Sequence, residues 1–227
     1  MKISIVMPVY QLHPIHREMT DEAIQNLEWK TENPYELIIV THGDPPKYEL
    51  HGRRGLKFTR RITIGKAYNE GFSIASGDIF VCMHNDVVVG KKWDVNLARA
   101  AENGNIAFPM VDEFDSRCEE RGIRPTEPWQ TTGCCFAMSR EVWDSLGGFD
   151  EDYGMYHWED TDLFSRAEEM KIPLVRVNTT VVHYRGATRS FVLGEDKGNL
   201  LKGMNRFRNK HGGERKVPRI SEKPQEV

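Results

Sequence analysis

The chain has 227 residues, of which 39% are hydrophobic and 29% charged, a composition that excludes a disordered protein and suits one domain with a full core. Its 31 basic and 34 acidic residues give a formal net charge of −3, so we expect no nucleic-acid partner. No apolar run approaches the ~20 residues of a transmembrane segment, and the amino-terminal stretch lacks the features of a signal peptide. We therefore expect a cytoplasmic protein.

Short apolar runs recur along the first part of the chain and predict strands that are buried on both faces of a sheet. The predicted strands are Ile3–Met7, Glu36–Thr41, Leu56–Phe58 with Ile62–Ile64, and Ile79–Met83. Apolar residues at helical spacing lie between them, as in the stripe of Met19, Ala23 and Leu27. Strands that alternate with helices predict an α/β fold with right-handed crossovers and a mainly parallel sheet.

The second part of the chain has a less regular pattern. We predict strands at Ile106–Val111, Cys134–Met138, Leu174–Val177 and Thr180–His183, and helices around Val142–Leu146 and from Asp160 onward. The polar stretch Asp112–Gln130 is long for a structureless loop, so we interpret it as a functional segment. The predicted organisation is one domain over residues 1–211 and a loose polar tail over residues 212–227.

Two candidate metal ligands follow predicted strands, where an α/β sheet binds its ligands. His84-Asn85-Asp86 comes directly after the strand Ile79–Met83, and a carboxylate there suits Mg²⁺ or Mn²⁺, which bind few carboxylates together with substrate phosphates. Taken alone, the triplet is a weak signal because Asn-Asp is also ordinary turn chemistry. His183 leaves a strand as well; such a histidine is more often structural, although a neutral imidazole can complete the coordination of a metal.

Three acids cluster where a helix is predicted to begin, in the segment Trp158-Glu159-Asp160-Thr161-Asp162. Acids at a helix amino terminus commonly cap the helix and complement its dipole, and this explanation covers Asp162. It explains less well why aromatic residues precede the acids. Aromatic and carboxylate groups together resemble a sugar-binding site, because sugars have apolar faces and hydroxyl rims.

The order of these segments resembles that of the family 2 glycosyltransferases, whose members share the GT-A fold. The resemblance extends from Ile3 to about Tyr184, most of the chain. The segments that carry it are Ser4–Tyr10, Glu36–Val40, the G-x-A-x-N-x-G pattern of Gly65–Gly71, Ala75–Asp78, His84–Asp86 in the place of the D-x-D motif, Gly133–Met138, Gly147–Glu151, and the E-D-x-D-L pattern of Glu159–Leu163. The last of these is the most specific match.

The resemblance implies an inverting glycosyltransferase that moves a sugar from a nucleotide-diphosphate sugar to an acceptor hydroxyl. In that pattern Asp86 holds Mn²⁺ or Mg²⁺ against the donor diphosphate, His183 is a further metal ligand, and Asp160 is the general base. The residues implied to contact the nucleotide-sugar are Pro8, Val9, Tyr10, Thr41, Gly65, Lys66, Asn69, His84, Asn85 and Asp86. Our candidates for acceptor or sugar contacts are Trp129, Trp158 and Glu159. The acceptor class, whether glycan, lipid-linked or protein, stays open.

The sequence departs from the family pattern in two places. Thr41-His42-Gly43-Asp44 stands where relatives carry acids that read the nucleotide base, and His84 replaces the first acid of D-x-D. These departures motivate a second hypothesis, a nucleotide-sugar-binding protein of the same fold that has lost catalysis. A third hypothesis is a metal-dependent nucleotide-sugar hydrolase or nucleotidyltransferase that uses the same acids.

Overall fold

The computed structural model describes residues 1–11, 13–43, 47–113, 133–155, 157–184 and 197–212. The strands are β1 (Ile3–Val9), β2 (Tyr35–His42), β3 (Gly55–Phe58), β4 (Ile79–Met83), β5 (Val87–Val89), β6 (Ile106–Glu113), β7 (Cys135–Ser139) and β8 (Leu174–His183). The helices are α1 (Pro14–Lys30), α2 (Ile64–Ser73), α3 (Trp93–Glu102), α4 (Arg140–Leu146), α5 (Glu159–Glu169) and α6 (Lys197–His211). None of the helices in these described ranges is long and apolar enough to cross a bilayer.

The strands form one sheet in the order β3-β2-β1-β4-β7-β6-β8-β5. The first four strands of that order run parallel to one another, as predicted. β7 is antiparallel to both β4 and β6, β8 is parallel to β6, and β5 is antiparallel to β8. The α/β fold is therefore confirmed, with a parallel half and a mixed half, because an apolar run marks a buried strand but does not encode its direction.

Apolar side chains on both faces of the sheet explain why its strands are continuous hydrophobic runs. On one face Ile3, Ile5 and Met7 of β1 pack with α1 and α3, while on the other face Val6 packs with α2, α4 and α5. Successive residues of a strand point to opposite faces, so a strand covered on both sides must be apolar at nearly every position. This arrangement leaves the ends of the strands as the place for polar chemistry.

Gly71 marks the closest approach of α2 to the sheet. A Cβ built there would overlap the side chain of Val6 and lie 3.1 Å from Val40 Cγ2. We expect Gly71→Ala to lower the free energy of unfolding by about 1–3 kcal/mol through overpacking, although alanine favours a helix. Urea unfolding measures this, with the exposed Ser73→Ala of the same helix as the control. Equal stability of Gly71→Ala and the natural protein would show that α2 moves freely away from the sheet.

The structure differs from the predicted elements in several places. The predicted strand Ile62–Ile64 is wrong: Thr63 caps α2 by accepting a hydrogen bond from Lys66 N, and the helix begins at Ile64. The two predicted strands at the end of the domain are one strand, β8, with an irregular register between Arg176 and Thr180. β5 and α6 were not predicted. Residues 114–130 of the polar stretch and residues 213–227 of the tail lie outside the described ranges.

Candidate metal and catalytic site

The turn between β4 and β5 brings His84 and Asp86 to His183. β5 follows Asp86 directly and pairs antiparallel with β8, with Val87 opposite His183. The Tyr184 backbone N–H donates to the Asp86 carbonyl at 3.0 Å, and the His84 N–H donates to the Cys134 carbonyl at 2.8 Å. Main-chain bonds on both sides therefore fix the turn, and the three side chains meet at the carboxyl end of the sheet.

One ligand atom from each of His84, Asp86 and His183 lies within 4.8 Å of the others, a separation that a single metal ion can bridge. His183 Nε2 is 3.4 Å and His84 Nδ1 is 4.0 Å from Asp86 Oδ1, both longer than a normal hydrogen bond. Asp86 Oδ1 is buried and has no hydrogen-bond partner in the described part of the chain. A buried carboxylate oxygen without a donor is costly, and a cation at the centre of the cluster would satisfy it.

The charges of the cluster suit a cation. Burial raises the pKa of Asp86, but His183 lowers it by more, so the net shift is downward and the carboxylate is ionised. Burial lowers the pKa of His84 to about 4, so this ring is neutral and has a lone pair for a metal. Burial also opposes a proton on His183, yet Cys134 and Asp86 raise its pKa overall. A proton on His183 and a cation would therefore compete for the cluster.

The three acids at the start of α5 have different surroundings. Asp162 is fully buried, and its carboxylate accepts hydrogen bonds from Tyr153 Oη at 3.1 Å, Arg166 Nε at 2.9 Å and His211 Nε2 at 2.8 Å. Burial alone would raise the pKa of Asp162, but hydrogen bonds from Lys210, His211 and Arg166 lower it overall. Asp162 thus anchors α5 to neighbouring side chains, a structural role that differs from the helix cap expected from the sequence.

Asp160 is half-buried and lies in the first turn of α5. Its Oδ1 accepts a hydrogen bond from Thr161 N at 2.7 Å, and a Cβ built on Gly133 would lie 2.5 Å from its Oδ2. Burial raises the pKa of Asp160, which favours its action as a proton acceptor near neutral pH. Gly133 is followed by Cys134, whose carbonyl holds His84. Two adjacent residues therefore contact Asp160 on one side and the metal cluster on the other.

The ends of β1 and β2 form an aromatic and cationic surface. Tyr10 stacks on His42 with ring centroids 5.1 Å apart and an interplanar angle of 13°. The Arg61 guanidinium lies 4.7 Å from the centroid of the Tyr10 ring. Burial, with a smaller effect from Arg61, lowers the pKa of His42 to about 4 and keeps it neutral. Thr41 Oγ1 is buried without a hydrogen-bond partner among the residues that the structure describes.

Three of the residues predicted to contact the nucleotide-sugar hold the loop that follows α4. Asn69 accepts a hydrogen bond from Phe149 N and donates to Phe149 O, both at 2.9 Å. Lys66 Nζ is 3.0 Å from Glu151 Oε2, and a Cβ on Gly65 would lie 3.1 Å from Phe149 Cβ. These contacts secure the chain that leads to α5. Contact with a nucleotide stays a prediction for all three.

The remaining predicted site residues occupy varied positions. Pro8 and Val9 end β1, and Val9 is fully buried. Asn85 donates from Nδ2 to Thr20 Oγ1 at 2.8 Å and so ties the turn after β4 to α1. Trp158 packs on Phe207 of α6. Trp129 lies outside the described residues.

A comparison with known protein families shows the family to which the chain belongs. The Glycosyl transferase family 2 model matches residues 4–158, more than half of the chain. The chain belongs to glycosyl transferase family 2.

Curated relatives and a solved structure agree with this family. A glucosyl-dolichyl phosphate glucuronosyltransferase of Haloferax volcanii is 23% identical over 68% of this chain and 58% of its own length. A dolichol-phosphate mannosyltransferase of Pyrococcus furiosus is 29% identical over 46% of this chain and 31% of its own. This chain thus spans only part of each relative. The crystal structure of GalNAc-T7 with UDP, GalNAc and Mn²⁺ covers 81% of this chain and 44% of its own at 15% identity, with a TM-score of 0.64. The last likeness shows the GT-A fold.

Sequence reasoning about this family 2 chain did not assign some residues to the places that the structure gives them at the candidate site. His84 was assigned to the nucleotide rather than to the metal, although the structure places it in the cluster. His42 and Arg61 were not singled out, yet both contribute to the surface beside Tyr10. The position of His42 at the end of a predicted strand could have drawn attention to it, whereas nothing local in the sequence marks Arg61.

We expect Glu159 to make the stability of the family 2 domain depend on pH. Its side chain is buried, Oε2 has no hydrogen-bond partner within the described ranges, and burial together with the charge of Asp160 raises its pKa. A raised folded-state pKa gives stability that is present below the ordinary pKa and is lost as the pH rises through the folded value. We expect the free energy of unfolding to fall by on the order of 1 kcal/mol between pH 5 and pH 8 through this group.

Urea unfolding at several pH values tests this expectation. In Glu159→Gln the free energy of unfolding should fall less steeply with pH, because an amide does not titrate. The exposed Glu141→Gln should show the same dependence on pH as the natural protein. If the free energy of unfolding of both variants falls with pH as steeply as that of the natural protein, Glu159 is ionised in the folded state.

Proposed function

We propose that this family 2 protein is an inverting glycosyltransferase that uses a nucleotide-diphosphate sugar, a divalent cation and a carboxylate base. The observation that supports this most strongly is the cluster of His84, Asp86 and His183, which a single metal ion could bridge, together with the connection of this cluster to Asp160. The two groups share the segment Gly133-Cys134, which contacts both. A metal site and a carboxylate with a raised pKa are the two parts that such a transfer requires.

Each part has a defined task in the proposed reaction. A divalent cation held by His84, Asp86 and His183 would neutralise charge on the leaving nucleoside diphosphate. Asp160 accepts the proton of the acceptor hydroxyl as the hydroxyl oxygen attacks the anomeric carbon. The new carbon–oxygen bond forms while the bond from that carbon to the diphosphate breaks, so a single displacement inverts the anomeric centre. Exclusion of water from the buried cluster limits hydrolysis of the donor.

The ligand set favours Mn²⁺ over Mg²⁺. Mg²⁺ prefers oxygen ligands in octahedral geometry, whereas imidazole suits transition metals. Here two of the three candidate ligands are imidazoles. GalNAc-T7, whose fold is similar to that of this chain, was crystallised with Mn²⁺, which is consistent with this preference.

Replacement of His84 tests the metal preference. We expect His84→Asp to reduce the ratio of Mn²⁺-supported to Mg²⁺-supported activity by about tenfold, because a carboxylate replaces one of two imidazoles. Initial rates over a range of each metal measure the ratio. The same substitution at the exposed His51 is the matched control and should leave the ratio unchanged. An unchanged ratio in His84→Asp would remove His84 from the ligand set.

The donor is identified by thermal stability with UDP, GDP, dTDP and CDP sugars, each with and without Mn²⁺. A ligand that binds only the folded state stabilises it by about 2.7 kcal/mol at a concentration of 100 Kd. We expect one nucleotide to raise the melting temperature only when the metal is present. No rise with any of them would contradict the proposed donor site.

The acceptor is tested with the identified donor. The two curated relatives are named for dolichyl-phosphate-linked substrates, so lipid-linked phosphates and sugars are the first acceptor class to test. Product formation is followed by mass spectrometry, and release of nucleoside diphosphate is followed in parallel. Release that needs no acceptor would favour the hydrolase hypothesis, and donor binding without any release would favour the binding protein.

A further inference from the structure

Two residues directly before α5 have an unfavourable backbone conformation. His157 has φ 78° and Trp158 has φ 74°, values that side-chain-bearing residues rarely adopt. The left-handed conformation is unfavourable for a residue with a Cβ, and such residues persist only where their surroundings hold them. Trp158 occupies the cap position of α5, and within the described structure its side chain makes no capping hydrogen bond. Helix capping therefore does not compensate for the strain.

α6 covers both strained residues. A Cβ built on Gly203 would lie 2.8 Å from Trp158 Cδ1 and 3.0 Å from the carbonyl oxygen of His157. Phe207, one turn further along α6, is buried, and its ring centroid is 5.2 Å from that of Trp158. The backbone of α6 thus presses against the turn at Gly203, and the Phe207 ring packs against the indole.

Charged contacts fix α6 in this position. Lys210 Nζ and His211 Nε2 each lie 2.8 Å from Asp162 Oδ1, on the buried side of α5. Arg206 Nη2 is 2.8 Å from Asp150 Oδ1, in the loop before α5. Several charge-assisted hydrogen bonds therefore oppose any movement of α6 away from the turn.

The turn sets the direction of the first turn of α5. The carbonyl oxygen of Trp158 accepts a hydrogen bond from Asp162 N at 2.9 Å, so the orientation of this peptide starts the helix. Asp160 lies within that first turn, with its carboxylate against Gly133. If Trp158 relaxed to an ordinary conformation, the carboxylate would move, and a displacement of about 1 Å can cost on the order of 10²-fold in rate.

We infer that α6 positions Asp160 for proton transfer by holding His157 and Trp158 in the left-handed conformation. Gly203 and Phe207 are positioning residues in this account, since neither is required to touch a substrate. The inference rests on the proposed role of Asp160 as the general base. The inference adds that the rate of transfer depends on α6, which packs against the turn before α5.

The test combines truncation of Phe207 with a glycine that takes the strained conformation at little cost. Phe207→Ala should lower kcat about 10- to 100-fold, with the KM of the donor changed less than twofold. Adding His157→Gly should restore most of the lost kcat, because glycine adopts a positive φ readily. Truncation of the exposed Leu201 on the same helix is the matched control and should leave kcat unchanged. If Phe207→Ala fails to fold, Gly203→Ala, which crowds the same turn, takes its place.

A second measurement does not depend on transfer. The carboxyl carbon resonance of Asp160, assigned by its absence in Asp160→Asn, should titrate at lower pH in Phe207→Ala than in the natural protein, because the carboxyl becomes less buried. A shifted titration in a protein that transfers no sugar would keep the positioning and reject the proposed function. An unchanged titration and an unchanged kcat, or a loss of kcat that His157→Gly does not reverse, would overturn the inference.

Discussion

Asp160→Asn is expected to lower the rate of transfer by about 10²- to 10⁴-fold and to leave metal-dependent donor binding intact. The amide has the shape of the carboxylate and can still accept the hydrogen bond from Thr161 N at its oxygen. It cannot accept a proton from the acceptor hydroxyl, so only the step that needs a base is lost. Single-turnover rates and donor titrations separate the two quantities.

The control for this substitution is Asp144→Asn, the same change at an exposed position of α4. It should leave both transfer and binding unchanged. If Asp160→Asn loses donor binding and thermal stability together with transfer, then Asp160 is a structural cap of α5, as an acid at a helix start often is. If it keeps full transfer, another group removes the proton.

The parallel half of the fold could be predicted from the sequence because each of its main strands is marked by a short contiguous run of apolar residues. The runs that became β1 and β4 are apolar at nearly every position, as is the centre of β2, which is the direct consequence of burial on both faces. Residues that follow such runs must lie at the edge of the sheet. This reasoning found Asp86 and also His183, which meet in the structure.

The remaining features depend on pairing over long distances in the chain. β5 has only three residues, too few for a pattern, yet its pairing with β8 is what brings His84 and Asp86 to His183. α6 is polar along most of its length, and it is held by Phe207 and by ion pairs to Asp162. The spacing of residues along α6 does not indicate those contacts. The strained turn at Trp158 is likewise visible only in three dimensions.

Asp86→Ala is expected to abolish manganese-dependent donor binding and to lower transfer by about 10³-fold or more. A cation supplies several kcal/mol of stabilisation to the developing charge, and each 1.36 kcal/mol corresponds to a factor of ten. Without the carboxylate, two imidazoles remain, and the only anionic ligand of the cluster is lost. Isothermal titration of Mn²⁺ and of the donor measures binding, and initial rates measure transfer.

The fold should survive this substitution, which separates it from a damaging core mutation. In the natural protein without a cation, contact with His183 holds the pKa of Asp86 below its ordinary value, so removal of the carboxylate costs some stability. The melting temperature of Asp86→Ala without metal should therefore be somewhat lower than that of the natural protein, unfolding should remain cooperative, and Mn²⁺ should no longer raise the melting temperature. Asp144→Ala provides the exposed control. Donor binding that still responds to Mn²⁺ in Asp86→Ala would show that Asp86 is only a turn residue between β4 and β5 and that the metal lies elsewhere.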